Sequence, residues 1–165
     1  VPLLPPPAPR LGYGEDTHRL VAGRPLVLGG VTIPFHLGLL GHSDADALAH
    51  AAMDAMLGAC ALGDIGKLFP DTDPQYAGIC SLTLLTQVLR RTLAQGYALS
   101  NLDATIVAQQ PKLAPHIPAM RAKLAAAMAC GQERISIKAT TPEGCGPEGA
   151  LESITVRCVC SMEAI

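Results

Sequence analysis

The sequence predicts an α+β fold, and three observations carry that prediction. Leu102, Ala104, Ile106 and Ala108 alternate with Asn101, Asp103 and Thr105, and Ile135, Ile137 and Ala139 alternate again, the period-two mark of strands. Between them Ile117, Met120, Leu124 and Met128, closed by Gly131, recur at helical spacing, so the segment reads as a β-α-β unit with a right-handed crossover. The chain has 165 residues, long enough to bury roughly 70% of its extended surface in a single domain.

In chain order, residues 1–9 hold five prolines and read as an extended tether or interdomain linker ahead of a domain spanning 10–165. Residues 11–18 read as a strand, and 26–28 and 31–33 flank Gly29-Gly30 as a hairpin that Pro34 ends. Small and aliphatic residues over 47–62 predict a central helix, with Ser43 and Asp46, three apart, as its N-terminal cap and Ser43 as its start. Residues 63–78 are rich in Gly, Pro and Asp and predict a long loop, a setting that tends to carry function. Leu82, Leu85, Leu89 and Leu93 form a structural helix with Ser81 as its cap and Gly96 as its stop. Residues 138–146 form a Gly-rich turn with two hydroxyls, and Ile154, Val156, Cys158 and Cys160 make the closing strand.

Composition narrows the function. The net charge is −2, the aromatic residues are scattered and no Lys/Arg cluster exists, which argues against an extended nucleic-acid surface. No apolar run approaches the roughly 18 residues of a membrane span and no signal-peptide pattern opens the chain, so a cytoplasmic protein without membrane attachment is expected. The six cysteines contain no C-x-x-C pair, against a zinc-ribbon site, and no disulfides are expected.

Chemistry concentrates in residues 41–50, where His42, Asp44, Asp46 and His50 lie in an apolar neighbourhood. His42 falls ahead of the helix, while Asp46, His50 and Asp54 recur every four residues along one helical face. Eight helical residues rise about 12 Å, so His42 and His50 cannot ligate one ion, though both can border one pocket. Asp16 and His18 are two apart on a strand, roughly 6 to 7 Å at Cα, and share a face. With His50 they make an Asp-His-His set suited to Zn²⁺ or a similar divalent ion with a fourth position open.

Three stretches together carry a family resemblance: Gly14-x-Asp16-x-His18; His42-Ser43-Asp44-Ala45-Asp46 with His50; and Gly63-Asp64-Ile65-Gly66-Lys67-x-Phe69-Pro70-Asp71-Thr72-Asp73-Pro74. The chain closely resembles the 2-C-methyl-D-erythritol 2,4-cyclodiphosphate synthase family from about Arg10 to its final strand. The resemblance implies a mixed sheet with helices on one face, chorismate-mutase-like and built of ferredoxin-type β-α-β units. It also implies a homotrimer around a threefold axis with active sites between subunits. A fused or associated cytidylyltransferase is expected, because that enzyme precedes the synthase in some members.

The implied reaction is intramolecular phosphoryl transfer within a CDP-methylerythritol 2-phosphate, releasing CMP. Its nucleophile is already anionic, so catalysis reduces to alignment and charge stabilisation. The resemblance assigns a Zn²⁺ or Mn²⁺ ion to Asp16, His18 and His50, and a Mg²⁺ ion to Glu143. His42 and Thr141 match transition-state stabilising positions, and Asp46 matches a partner that orients a metal-bound histidine. Substrate would lie against Asp16, Thr17, His18, His42 and Ser43, then Asp64, Ile65 and Gly66, then Phe69, Pro70, Asp71, Thr72 and Asp73. Cytidine would lie against Ala108, Gln109, Gln110, Pro111, Lys112, Leu113 and Ala114, with Thr140 and Thr141, contributed by the neighbouring subunit.

The sequence departs from the family pattern in places. Glu15 replaces a usual apolar residue and Ala45 a common glycine. In the C-terminal loop Pro147 and Ala150 replace a phenylalanine and an arginine that grip an isoprenoid diphosphate on the axis of some members, so no such ligand is expected there. Two other function classes fit the same residues less fully: a metal-dependent phosphohydrolase with water as nucleophile, and a non-catalytic trimeric ligand-binding module.

Overall fold

The computed structural model describes residues 8–165; the expectation for the Pro-rich start falls largely on residues 1–7, which lie outside the described residues. Strand β1 (Arg10–Ala22) is followed by the short strands β2 (Leu26–Leu28), β3 (Val31–Ile33) and β4 (Leu37–Leu39), then helix α1 (Ala47–Ala59). Next come α2 (Ile65–Leu68), α3 (Ser81–Ala94), β5 (Tyr97–Val107), α4 (Ile117–Ala127), β6 (Ile135–Thr140), α5 (Gly146–Gly149) and β7 (Ser153–Ala164). The main sheet has the order β4-β1-β7-β5-β6, with β5 and β6 parallel around α4 and the other pairs antiparallel, and β2-β3 form a separate hairpin. This is a mixed α+β architecture.

Alternation along the strands sorts residues between the two faces. Gly12, Gly14, Leu20, Leu102, Ala104, Ile106, Ile154, Val156, Cys158 and Cys160 are buried, on the side where α1, α3 and α4 pack. Leu11, Tyr13 and Val159 alternate with them on the opposite face and stay exposed, while α5 reaches that face at buried Thr155, whose hydroxyl donates to Glu148. All six cysteines are free thiols, with Cys60, Cys158 and Cys160 buried. Among the described residues no helix is long and apolar enough to cross a membrane.

Helix α1 is apolar around nearly its whole circumference, from Ala47 and Leu48 to Leu57 and Ala59, as a helix enclosed by other elements must be. It lies directly on the backbone of β1. A Cβ at Gly12 would stand 1.8 Å from the Ala55 carbonyl oxygen, and one at Gly14 2.0 Å from that of Ala51. The contact is therefore backbone on backbone, and only glycine permits it.

Three expectations are corrected. The cap of α1 is Asp46, whose carboxylate accepts the Ala49 amide, and Ser43 is not the helix start. The reason is local: Ser43 Oγ accepts the Ala45 amide, and Ala45 sits at φ +56°, so the chain turns once more before the helix begins. That left-handed φ also explains why glycine suits position 45. Second, α3 is capped at Cys80 with no side-chain bond, and its buried stripe runs Ser81, Leu84, Leu85, Val88, Leu89 and Thr92, leaving Leu93 exposed. Third, residues 63–78 are not a plain loop, since they contain α2 and a 3₁₀ turn at Pro74–Tyr76.

Gly14→Ala is expected to force α1 off β1. A buried backbone clash of this kind costs about 1–3 kcal/mol or more, a fall in Tm on the order of 5–10 °C for a chain of this size. An unchanged melting temperature would show that the helix does not depend on the bare strand.

Candidate metal centre and active-site cavity

Asp16 and His18 project from β1 on the same side, and α1 brings His50 down to meet them. His18 Nε2 lies 2.8 Å from Asp16 Oδ2, His50 Nδ1 lies 3.2 Å from the same oxygen, and the two ring nitrogens are 3.2 Å apart. His50 is buried and the other two half-buried. Burial pushes the Asp16 carboxyl up, but hydrogen bonds to His18 and His50 outweigh it and hold it at about 2, so it is ionised. Burial pulls the His18 imidazole down, and its bond to Asp16 more than reverses that.

The neighbouring backbone decides which nitrogen of His18 faces the cluster. Its Nδ1 is 2.8 Å from the Leu40 carbonyl, which can only accept, so in the neutral ring Nδ1 carries the proton and Nε2 is a bare lone pair. A bare lone pair 2.8 Å from a carboxylate oxygen is repulsive unless a proton or a cation sits between them. Bonds of about 2.0–2.1 Å at tetrahedral angles place donor atoms about 3.3 Å apart, close to the spacings here, and two imidazoles with one carboxylate suit a borderline divalent ion. The residues fit a metal, and they are the one such group found among the described residues.

Beside the cluster opens a cavity of about 390 Å³, within the range of small-molecule sites. Of the expected substrate residues it is lined by His18, His42, Ser43, Ile65, Gly66, Phe69, Pro70 and Asp71, with Leu40, Gly41, Tyr76 and Leu84 in addition. His42 and His50 border it together without sharing a ligand position, as helix geometry required. The Phe69 and Tyr76 rings meet edge to face at 5.4 Å and form an apolar wall. His42 Nε2 donates to the Asp73 carbonyl at 2.9 Å, and Gly78 donates its amide to the His42 carbonyl, so the 63–78 segment is tied to the motif it closes over. Asp64 caps α2 through the Lys67 amide, and half-buried Asp54 accepts the Ile65 amide, fixing that wall to α1.

Of the other expected residues, Asp64, Thr72 and Asp73 do not line the cavity, and Thr17 and Asp46 stand elsewhere. Thr17 alternates to the opposite face, where its hydroxyl pairs with Thr155 at 2.8 Å. The Asp46 carboxylate makes no hydrogen bond to His18 or His50. It accepts the amides of Gly29, Gly30 and Ala49, and complete burial pushes its pKa up against those bonds. The side chains that do reach His50 are Ser81, whose Oγ lies 2.9 Å from Nε2, and Ser43, whose Oγ lies 3.3 Å from it. By sequence position Ser81 reads as a helix cap; in the structure it is the first residue of α3 and buried with its apolar stripe.

The expected cytidine residues form a separate cluster beyond the ends of β5 and β6. Ala108 donates its amide to the Thr140 carbonyl, and Gln109 Oε1 accepts the Gly144 amide, so the 108–114 loop and the 140–144 turn make one lobe. Within it Thr141 Oγ1 donates to Glu143 Oε1 at 3.0 Å, and Glu143 is held at φ +55°. None of these residues lines the cavity beside the metal cluster.

Fold and site together define a class: a mixed α+β protein with an Asp-His-His group able to hold a divalent ion, set between a strand and a helix beside an apolar cavity. Residues 9–163 match the model of the YgbB family, and the chain belongs to that family. It is 58% identical over 154 residues to the 2-C-methyl-D-erythritol 2,4-cyclodiphosphate synthase of Geobacter sulfurreducens, covering 93% of this chain and 98% of that protein. A solved structure of 2C-methyl-D-erythritol-2,4-cyclodiphosphate synthase in a CDP-bound form superposes with a TM-score of 0.86 at 43% identity, over 93% of this chain and 100% of that one. The bifunctional IspDF of Campylobacter jejuni gives a TM-score of 0.94 at 39% identity; the match covers 98% of this chain and 44% of that longer one.

Zinc soaked into crystals is expected to give an anomalous peak between Asp16 Oδ2, His18 Nε2 and His50 Nδ1, and His50→Ala is expected to lose it. A peak elsewhere, or unaltered zinc binding by the variant, would reject the assignment.

Proposed function

We propose that this chain acts as a 2-C-methyl-D-erythritol 2,4-cyclodiphosphate synthase, a phosphorus-oxygen lyase of the non-mevalonate isoprenoid pathway. Its substrate would be 4-diphosphocytidyl-2-C-methyl-D-erythritol 2-phosphate. The observation that carries the reading is the convergence of Asp16, His18 and His50 beside the cavity walled by Ile65, Gly66, Phe69 and Pro70, in a chain 58% identical to a relative of that name.

A 2-phosphate oxygen attacks the β-phosphorus, the bond from that phosphorus to the bridging oxygen breaks, and CMP leaves with the electron pair. The attacking oxygen is anionic, so the chain needs no strong base; it must align and shield the reacting groups. Zn²⁺ or Mn²⁺ on Asp16, His18 and His50, with Mg²⁺ near Glu143, would supply positive charge for the diphosphate oxygens. Phe69, Tyr76 and Leu84 give an apolar surface for the methylerythritol and exclude water. His42 on the cavity rim and Thr141 on the other lobe are the groups assigned to the developing charge.

The separation of the two lobes supports an active site shared between copies. One copy brings the metal cluster, while its neighbour brings the 108–114 loop and the 140–144 turn. The part of the sheet face where Leu11, Tyr13 and Val159 are exposed supports packing of such copies as a homotrimer. The match to part of a bifunctional chain supports a fused or associated cytidylyltransferase. Arg157, the remaining cation on β7, donates from Nε to Glu15 Oε2 at 3.1 Å, which supports the absence of an isoprenoid diphosphate site.

Incubation with the CDP-methylerythritol 2-phosphate substrate is expected to release CMP and the cyclic diphosphate; release of inorganic phosphate would point instead to a phosphohydrolase. His42→Ala and Thr141→Ala are each expected to lower kcat by on the order of a hundredfold, about 3 kcal/mol, with little change in KM. A raised KM with kcat intact would remove both from the transition state.

A further inference from the structure

The nitrogen of His50 that faces away from the metal cluster is enclosed by hydroxyls. Its Nε2 lies 2.9 Å from Ser81 Oγ and 3.3 Å from Ser43 Oγ, and all three residues are buried. A contact between an imidazole and a hydroxyl can run in either direction. Here the direction is decided one step further back. Ser81 Oγ lies 2.5 Å from Asp44 Oδ1, and Asp44 Oδ2 accepts the Ser81 amide at 2.9 Å. Asp44 thus accepts from Ser81 twice, and the single hydroxyl proton of Ser81 goes to its Oδ1. Ser81 Oγ then has only lone pairs to offer, and His50 must donate to it from Nε2. The bare nitrogen of His50 is therefore Nδ1, the atom 3.2 Å from Asp16 Oδ2 and 3.2 Å from His18 Nε2.

We propose that Ser81, oriented by Asp44, is a positioning residue of the metal centre. The chain from His50 through Ser81 to Asp44 holds His50 as the Nε2–H tautomer and aims Nδ1 at the cation. The proposal rests on the divalent-ion reading of the Asp16, His18 and His50 cluster. It gives His50 the same arrangement that the Leu40 carbonyl gives His18: an acceptor behind the ring, a lone pair in front. Because the chain ends on a carboxylate, it also makes the ligating nitrogen more basic. Ser81 comes from α3, so that helix, which makes no ligand bond of its own, helps decide the ion's affinity. Asp44 also accepts the Asp46 amide at 3.2 Å, a turn contact that on its own would leave the state of His50 open.

The test begins with metal-free protein labelled with ¹⁵N-histidine, studied above the imidazole titration range where both rings are neutral. His50 is expected to show a protonated Nε2 and a bare Nδ1. Ser81→Ala removes the acceptor, and a mixture of tautomers is expected. Asp44→Asn can turn an amide N–H toward Ser81 Oγ, which then donates to Nε2; the ring proton moves to Nδ1 and blocks the ligating atom. Zinc affinity, read by chelator competition, is expected to fall about 10- to 100-fold in each variant. A wild-type His50 found with its proton on Nδ1 overturns the proposal, as does zinc affinity within about twofold of wild type in Ser81→Ala. Should Ser81→Ala not fold, Asp44→Asn and the wild-type spectrum still decide. Failure of the wild type to bind zinc would refute the metal reading separately, with the metal-free tautomer still testing the hydrogen-bond chain.

Discussion

The whole centre depends on how closely one helix lies on one strand. α1 meets β1 through main chain, with the Ala51 and Ala55 carbonyls over Gly14 and Gly12, and no side chain separates them. His50 immediately precedes Ala51, and Asp16 follows Gly14 by two residues, so the close contact and the convergence of ligands are one geometric fact. A methyl group at either glycine would lift the helix and carry His50 out of reach of its partners. The alanine content of α1 serves the same end from the other side, because small side chains let a helix settle into a sheet at interior packing density.

That close packing leaves several polar groups without water, and each is satisfied by a partner distant in sequence. Asp46 joins the N-terminus of α1 to the β2-β3 turn by taking the Gly29 and Gly30 amides, which a turn with two positive-φ glycines points toward it. Arg24 donates to the Leu39 and Ser43 carbonyls and holds the segment carrying Leu40, Gly41 and His42. Asp44 joins that segment to α3. The Asp16, His18 and His50 cluster thus sits in a frame of charge-to-backbone bonds, the stronger kind of hydrogen bond.

The two lobes are built on the same end of the sheet but on different strands: Asp16 and Ile106 both pair with Val156, so β5 ends level with the Asp16–His18 segment, with β7 between them. Asp16, His18 and His50 lie on the helix-covered face, between β1 and α1. The 108–114 loop and the 140–144 turn follow the ends of the parallel pair β5 and β6, where the main chain leaves the sheet. In a single chain the two lobes do not share a cavity.

The sequence by itself determined which residues share a face. Period two put Asp16 with His18 and buried Leu102, Ala104, Ile106, Ile154 and Val156; period 3.6 placed Met120 and Leu124 in the core; and Gly29-Gly30 marked the hairpin. These properties are local, set by backbone geometry over a few residues. Only the tertiary structure decided what lies opposite each face. Asp46 looked like a partner for histidine and went to backbone amides, while Ser81 looked like a helix cap and went to His50. Nothing in local periodicity separates those outcomes, because a buried polar atom pairs with whatever donor or acceptor the packing of distant elements brings within about 3 Å.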